Sequence, residues 1–295
     1  HCYVDYLISN TGTASAPAST TYLYVLVATE TYTKVASDST GALASGASRW
    51  DRFTYRTTGA HKFKVCADGP KAISESNETN NCRTEWLTCT EVKKQDLAYI
   101  YSTDTTSANS YKSLLDANGY STTLIQMSDV ATTDFSKYDA IIAGSDTGSM
   151  SSWGDSASVS AVKDSYKPII GLGEGGYALF GQLKLSTGHP NGWHGDENSI
   201  YVVDTSHTIF KTPNAIPIPK SRVIRLYTST QHVGIYLQEI PSNIVVLGRE
   251  VGSTTHYPLT LERNKYLLWG FTASPKSMTR VSRGLFINVV SDMTD

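Results

Sequence analysis

Hydrophobic positions change their period once along this chain. From Cys2 to Ser9 they alternate, with Cys2, Val4, Tyr6 and Ile8 on one face and Tyr3, Asp5, Leu7 and Ser9 on the other. That is the two-residue period of a half-buried strand. Asn10-Thr11-Gly12 reads as a turn. Further strands are expected over 21–28 (TYLYVLVA), 49–57 (RWDRFTYRT), 61–68 (HKFKVCAD) and 83–92 (RTEWLTCTEV). Short strands parted by turn signals predict an all-β sandwich over residues 1–92.

After a polar link over 91–95 (EVKKQ) the pattern becomes strand, helix, strand. Apolar strands are expected over 96–102, 121–127 and 139–145, with helices over 107–119 and 156–166. Such alternation predicts an α/β domain over 96–295, a parallel sheet with helices on both faces. Later strands are expected over 201–203, 221–227, 233–238, 243–247 and 265–271. A final helix is expected from Ser274 as cap, with Pro275 in its first turn.

The segment KPIIGLGEGGYALF, residues 167–180, organises the second domain. Pro168, Ile169 and Ile170 suit the start of a buried strand. Gly171, Gly173, Gly175 and Gly176 then crowd a turn that leads into a helix. A small-x-nucleophile-x-small elbow needs such glycines, because the turn is strained and the helix packs close to the strand. The nucleophile position is Gly173, which has no side chain to react. Ligands of such sheets bind at the carboxyl ends of the strands, where Asp104, Ser145, Asp146 and Glu174 fall.

Composition narrows the function classes. A net charge of −2 gives no electrostatic reason for nucleic acid binding. No apolar run reaches the roughly 20 residues of a membrane span. The four cysteines, Cys2, Cys66, Cys82 and Cys89, all fall in the first third. Their spacing is not that of a zinc site, and two disulfides in a secreted domain is the reading preferred. Three pairings are open at this point. A chain starting at His1 suggests a processed or truncated N-terminus.

Two family resemblances follow from particular stretches. The Asn10-Thr11-Gly12 turn, GALASGASRW at 41–50 and ISESNETNN at 73–81 resemble the CARDB family, immunoglobulin-like, cell-adhesion-related domains of bacterial surface proteins. The resemblance covers nearly all of residues 1–92. It implies a Cys66–Cys82 disulfide across the turn, which leaves Cys2 for Cys89. It also implies a strand ahead of the one ending at Asn10. Without it, the edge beside Tyr3 to Ser9 is expected to take a strand from a neighbouring molecule and so build a filament. The second domain is similar to the class I glutamine amidotransferase-like, flavodoxin-like fold. The similarity is carried by the first strand and helix, DAIIAGS, IIGLGEGG, VVDTSHTIF and the closing WGF…GLFINVV. Active members carry Cys at the elbow and a later His-x-Glu. Here Gly173 stands for the Cys, and Phe271 and Thr272 lie where the His-x-Glu is expected. The resemblance therefore implies a degenerate amidotransferase.

Other candidates each have a plainer reading. Glu174, at a helix N-terminus, is a weak candidate general base or ligand contact, or a carboxylate that bonds loop amides. His189, His194, Asp196 and Glu197 suggest a metal site or a hydrogen-bonded loop. Asp68, Glu75 and Asn77 suggest calcium or a self-capped turn. His1 with a second histidine suggests copper or simply a cut chain. Trp153, Trp193 and Trp269 suggest stacking on sugars or core packing. Asn77-Glu78-Thr79 is a glycosylation sequon. The reading reached is an extracellular or cell-surface structural and adhesive protein with no cofactor, self-associating through its first domain, with a glycan as a second partner. The rival is an extracellular hydrolase or carbohydrate-binding module using the pocket around Glu174.

Overall fold

The computed structural model describes residues 2–28, 30–55, 57–89, 94–192, 195–232 and 234–294. The chain divides into two compact units, His1–Lys93 and Lys94–Asp295. Each is described by itself.

The first unit is a β-sandwich of six strands among the described residues: β1 (Cys2–Ser9), β2 (Ser19–Ala28), β3 (Thr31–Thr40), β4 (Ser48–Tyr55), β5 (Gly59–Cys66) and β6 (Cys82–Cys89). β1 pairs antiparallel with β4, and the other four form a sheet in the order β3-β2-β5-β6. The alternation read in β1 is the observed one: Cys2, Val4 and Tyr6 are buried, while Tyr3, Asp5 and Leu7 are exposed. They meet Leu23, Val25, Phe53, Phe63 and Cys89 in one core. Tyr6 stacks on Phe53 with ring centroids 4.9 Å apart.

Both disulfides implied by the CARDB resemblance are present, Cys2–Cys89 and Cys66–Cys82. The first ties the first strand to the last, 87 residues away. The second closes the loop between β5 and β6. The sequence pattern missed β3. Its stretch, TYTKVASDST, is mostly polar and lies at a sheet edge, so it has no apolar stripe. It is held by its ladder to β2 and by a buried Thr21–Thr40 hydroxyl contact of 3.0 Å.

The second unit holds β7 (Asp96–Tyr101), α1 (Thr105–Ala117), β8 (Ser121–Gln126), β9 (Ala140–Ala143), a hairpin of β10 (Gly148–Ser149) and β11 (Ser152–Trp153), α2 (Ser156–Asp164), β12 (Ile169–Leu172) and α3 (Gly173–Gln182). β13 (Asp196–Glu197), β14 (Ser199–Val202), β15 (Val223–Arg225), β16 (Gln231–His232), β17 (Ile244–Arg249), β18 (Leu259–Glu262), β19 (Tyr266–Trp269) and α4 (Arg280–Thr294) follow. Among the described residues the main sheet has nine strands in the order β15-β14-β17-β18-β19-β12-β9-β7-β8.

The parallel part runs β8-β7-β9-β12-β19. Numbered along the chain, that order is 2-1-3-4-5, the flavodoxin-like winding. Successive side chains enter opposite faces. Leu97, Tyr99, Ile170, Leu172, Leu267 and Trp269 pack with α1 and α4, while Ala98, Ile100, Ile169 and Leu268 pack with α2 and α3.

The expected all-parallel sheet is corrected to a mixed one. β15, β14, β17 and β18 join antiparallel, and β18 is antiparallel to β19. The cause is the short link from Glu262 to Tyr266, since a parallel pairing needs a crossover of a dozen or more residues. Arg263 and Asn264 both take positive φ, +56° and +51°, as a primed hairpin turn requires. The final helix also begins later than expected. Pro275–Ser277 is a separate 3-10 turn, Ser274 makes no side-chain cap bond, and α4 starts at Arg280. Thr279 Oγ1 accepts from the Ser282 N–H at 3.1 Å, so threonine caps α4 instead. Of the strand expected over 233–238, residue 233 lies outside the described residues. The rest is irregular, with Leu237 N–H donating to Thr255 O at 2.9 Å. No helix among the described residues is long and apolar enough to cross a membrane.

Two outcomes are expected. Replacing Cys2 and Cys89 by Ser should lower the melting transition of the first unit, a loss of about 2–5 kcal/mol. Calorimetry of the full chain checks this, and a transition unmoved by the double substitution would contradict it. The second concerns acid. Hydrogen bonds from Ser107, Ser158 and Ser206 hold Asp104, Asp155 and Asp204 below the ordinary aspartate range. A depressed folded pKa stabilises the chain above the unfolded value and loses that contribution as protons bind. Melting temperature should therefore fall as pH drops through about 4 and below. Asp104→Asn, which still caps α1, should flatten part of that slope.

Candidate functional site

The elbow is built by backbone pressed against backbone. A Cβ on Gly176 would stand 2.2 Å from the Gly171 carbonyl carbon, and one on Gly171 would stand 2.7 Å from Gly176 Cα. Helix α3 thus lies directly on β12, as the glycine pattern predicts. Gly173 takes φ +48°, the left-handed conformation of a strained turn. The space a nucleophile would use is filled. A Cβ at Gly173 would meet Thr272 Cγ2 at 2.6 Å, Thr272 Cα at 3.0 Å and Ser145 Cβ at 3.1 Å.

Ser145 and Thr272 close over this point as a bonded pair. Ser145 Oγ donates to Thr272 O at 3.0 Å, and Gly175 N–H donates to Ser145 O at 3.1 Å. Gln231, buried to 7% exposure, accepts from Ala273 N–H at 2.8 Å and from Thr272 Oγ1 at 3.3 Å. Sequence reading missed Gln231. A single glutamine in a two-residue strand carries no pattern, and only the fold brings it under residues 272–273.

The strand ends at the winding's switch point, between β7 and β9, are also satisfied internally. Asp146 Oδ2 accepts from the N–H groups of Ser102, Thr103 and Asp104 at 3.0, 2.8 and 2.7 Å. Asp104 turns the other way and caps α1 through the Ser107 N–H at 2.9 Å. Beneath them, burial and then the charges of Asp146 and Asp104 push the Tyr99 hydroxyl well above its usual range.

Glu174 points at the β10–β11 hairpin. Its Oε1 accepts from Ser149 Oγ at 3.0 Å and from Met150 N–H at 3.1 Å. Burial, followed by the Glu174 charge, raises the Tyr177 pKa. His189 lies at the other end of α3. A Cβ on Gly181 would meet His189 O at 2.8 Å, and the imidazole stands edge-on to Tyr177. At about 1.5 Å per helical residue, Glu174 and Gly181 are separated by about 10 Å along the axis. A shallow cavity of about 440 Å³ opens there, lined in part by Gln182, Lys184, His189 and Asn191. His194 and Trp193 lie outside the described residues. The structure therefore brings together Ser145, Asp146, Gly173 and Thr272, with Asp104 beside them. Glu174 is tied to the neighbouring hairpin, and the His189 imidazole packs on Tyr177, about one turn along α3 from Glu174.

Asp68, Glu75 and Asn77 bond within their own loop. Asp68 accepts from Ala72 and Ile73 N–H at 3.0 and 2.7 Å, Glu75 from Asn81 Nδ2 at 2.5 Å, and Asn77 from Thr79. Asp196 and Glu197 form β13 against β16, and burial raises the Glu197 pKa. Among the described residues no group of three or more His, Cys, Asp or Glu side chains is placed to hold a metal ion. Trp153 and Trp269 are core residues, 1% and 0% exposed. Of the two readings open for them, core packing is the observed one.

Comparison with known proteins adds the first unit's family. Residues 1–85 match the CARDB family. The first unit carries a CARDB domain. Its likenesses include a domain described as part of a cell surface protein of Methanosarcina acetivorans, at 24% identity over 29% of this chain and 73% of that one, TM-score 0.25. A CARDB domain from Pyrococcus furiosus, solved in complex with di-metal ions, is 17% identical over 29% and 74%, TM-score 0.25. The second unit is similar to PurLQS from Thermotoga maritima, at 13% identity over 67% of this chain and 98% of that one, TM-score 0.45. No curated protein matches the sequence.

A thiol placed at the elbow should cost stability. Gly173→Cys is expected to cost about 1–3 kcal/mol for the strained backbone, and roughly as much again for overpacking against Thr272. Thr272→Gly in the same chain should recover part of that loss. Denaturant unfolding of the two single variants and the double variant measures the coupling. Additive effects would show that Thr272 does not fill the position.

Proposed function

We propose that the chain is an exported structural or adhesive protein of a cell surface, and that its second unit is a degenerate amidotransferase-like frame without thiol chemistry. The observation that carries this reading is the filled elbow: glycine at the nucleophile position, with Thr272 and Ser145 in the space a side chain would need. The two disulfides of the CARDB domain support an oxidising, extracellular location.

The proposed partner is a second copy of the chain. β1 has a ladder only to β4 among the described residues, so its other edge leaves backbone groups open. The outer face of this pair exposes Tyr3, Leu7 and Trp50, at 53%, 47% and 69%. Leu7 and Trp50 stand directly opposite each other. Open edges recruit strands, and a head-to-tail contact of this kind extends into a filament. Light scattering and electron microscopy of the full chain across a concentration series test this. Open-ended polymers are expected, and Leu7→Lys should raise the concentration needed at least tenfold. A monodisperse monomer at high concentration would overturn the self-association.

A second reading, contact with an acidic glycan, is favoured by the outer face of the four-stranded sheet. Lys34 lies over Tyr22 at 4.2 Å, and Lys64 over Tyr32 and Tyr24 at 4.5 and 4.8 Å. Trp86 is 61% exposed on the same face, opposite Lys62. Retention on a carboxylated polysaccharide, lost in Lys64→Glu and at raised salt, would support it. Retention unchanged in that variant would count against it.

A further inference from the structure

The fold and the proposed function leave unused the chain's single Asn-x-Ser/Thr sequence, Asn77-Glu78-Thr79. It lies in the loop between β5 and β6, whose base is closed by the Cys66–Cys82 disulfide and by the Ala67 N–H to Asn81 O bond of 2.8 Å. Residues 74–80 are all exposed. The loop is nonetheless held in one shape by its own side chains. Asp68, Glu75 and Glu78 accept from Ala72, Ile73, Asn81 and the Glu75 N–H.

Within that frame Asn77 Oδ1 accepts from Thr79 N–H at 3.0 Å and from Thr79 Oγ1 at 2.6 Å. The carboxamide and the hydroxyl that together form the acceptor motif are therefore already side by side. Both bonds use Oδ1, so Nδ2, the atom that reacts, is uncommitted among the described residues. Steric access, the required side-chain pair and a braced surface loop coincide at one residue.

We propose that Asn77 is a site of N-glycosylation. Nδ2 attacks the anomeric carbon of an oligosaccharide linked to a polyprenyl diphosphate. The N–C bond forms as the bond from that carbon to the diphosphate oxygen breaks. The diphosphate leaves with the electron pair, and one amide proton passes to a base of the transferring enzyme. The attached glycan would extend from the end of the CARDB domain where β5 and β6 are joined and cover the polar loop. The proposal rests on the exported reading above in one respect, the compartment in which transfer takes place.

The test is mass spectrometry of the tryptic peptide ending at Arg83, from full chain purified from the cells that make it. A sugar mass localised to Asn77 is the expected result. Thr79→Ser should keep it, while Thr79→Val and Asn77→Gln should abolish it. These changes are at exposed positions, and unchanged melting of the secreted variants shows that folding is not the cause. A bare Asn77 in a chain whose cysteines are paired overturns the proposal alone. Free thiols at Cys66 and Cys82 overturn the export on which it rests. Sugar retained in Thr79→Val would show that the motif does not direct it.

Discussion

The second unit depends on how closely α3 lies on β12. Only two glycines, Gly171 and Gly176, permit that contact, because any Cβ at either position would overlap the other's backbone. The approach fixes where the helix begins, and so forces Gly173 into the left-handed region. It also sets Glu174 beside the β10–β11 hairpin and brings Gly175 within 3.1 Å of the Ser145 carbonyl. The loop after β19 then fits over the turn, with Thr272 in contact. The geometry of a reactive elbow is kept, while its centre is given over to packing.

The CARDB domain solves a different problem. Its core is small, drawn from β1, β2 and the aromatic rings of Tyr6, Phe53 and Phe63, and its two sheets are unequal. The share of surface that folding buries grows with chain length, so a domain of this size gains less from burial than a larger one. Cross-links that restrict the unfolded chain make up the difference, one spanning nearly the whole domain and the other a single loop. The Asp5–Arg52 ion pair on the outer face is largely in water and contributes little.

Sequence pattern revealed elements whose buried positions are apolar. β1, β7 and β12 were legible because their apolar residues repeat at the strand period or run continuously. β3 was not, because an edge strand exposed on most positions needs no apolar stripe. β18 was missed although all four residues of LTLE are buried, because Thr260 and Glu262 interrupt the apolar run that marks a buried strand. The mixed direction of the sheet depends on hairpin links, which composition does not report. Of the site, the glycine turn and the absent nucleophile could be read directly. That Thr272 and Ser145 fill the vacancy, and that Gln231 supports them, follows from contacts between segments more than forty residues apart.

The three N–H groups gathered on Asp146 have one more consequence. A cluster of amides at a strand end is a natural seat for an anion such as a phosphate. Here the chain supplies its own anion, covalently attached and present at unit occupancy. At a seat taken by the chain's own carboxylate, dissolved anions add no stability, and their dilution removes none. These strand-end amides are therefore satisfied whatever the supply of small anions.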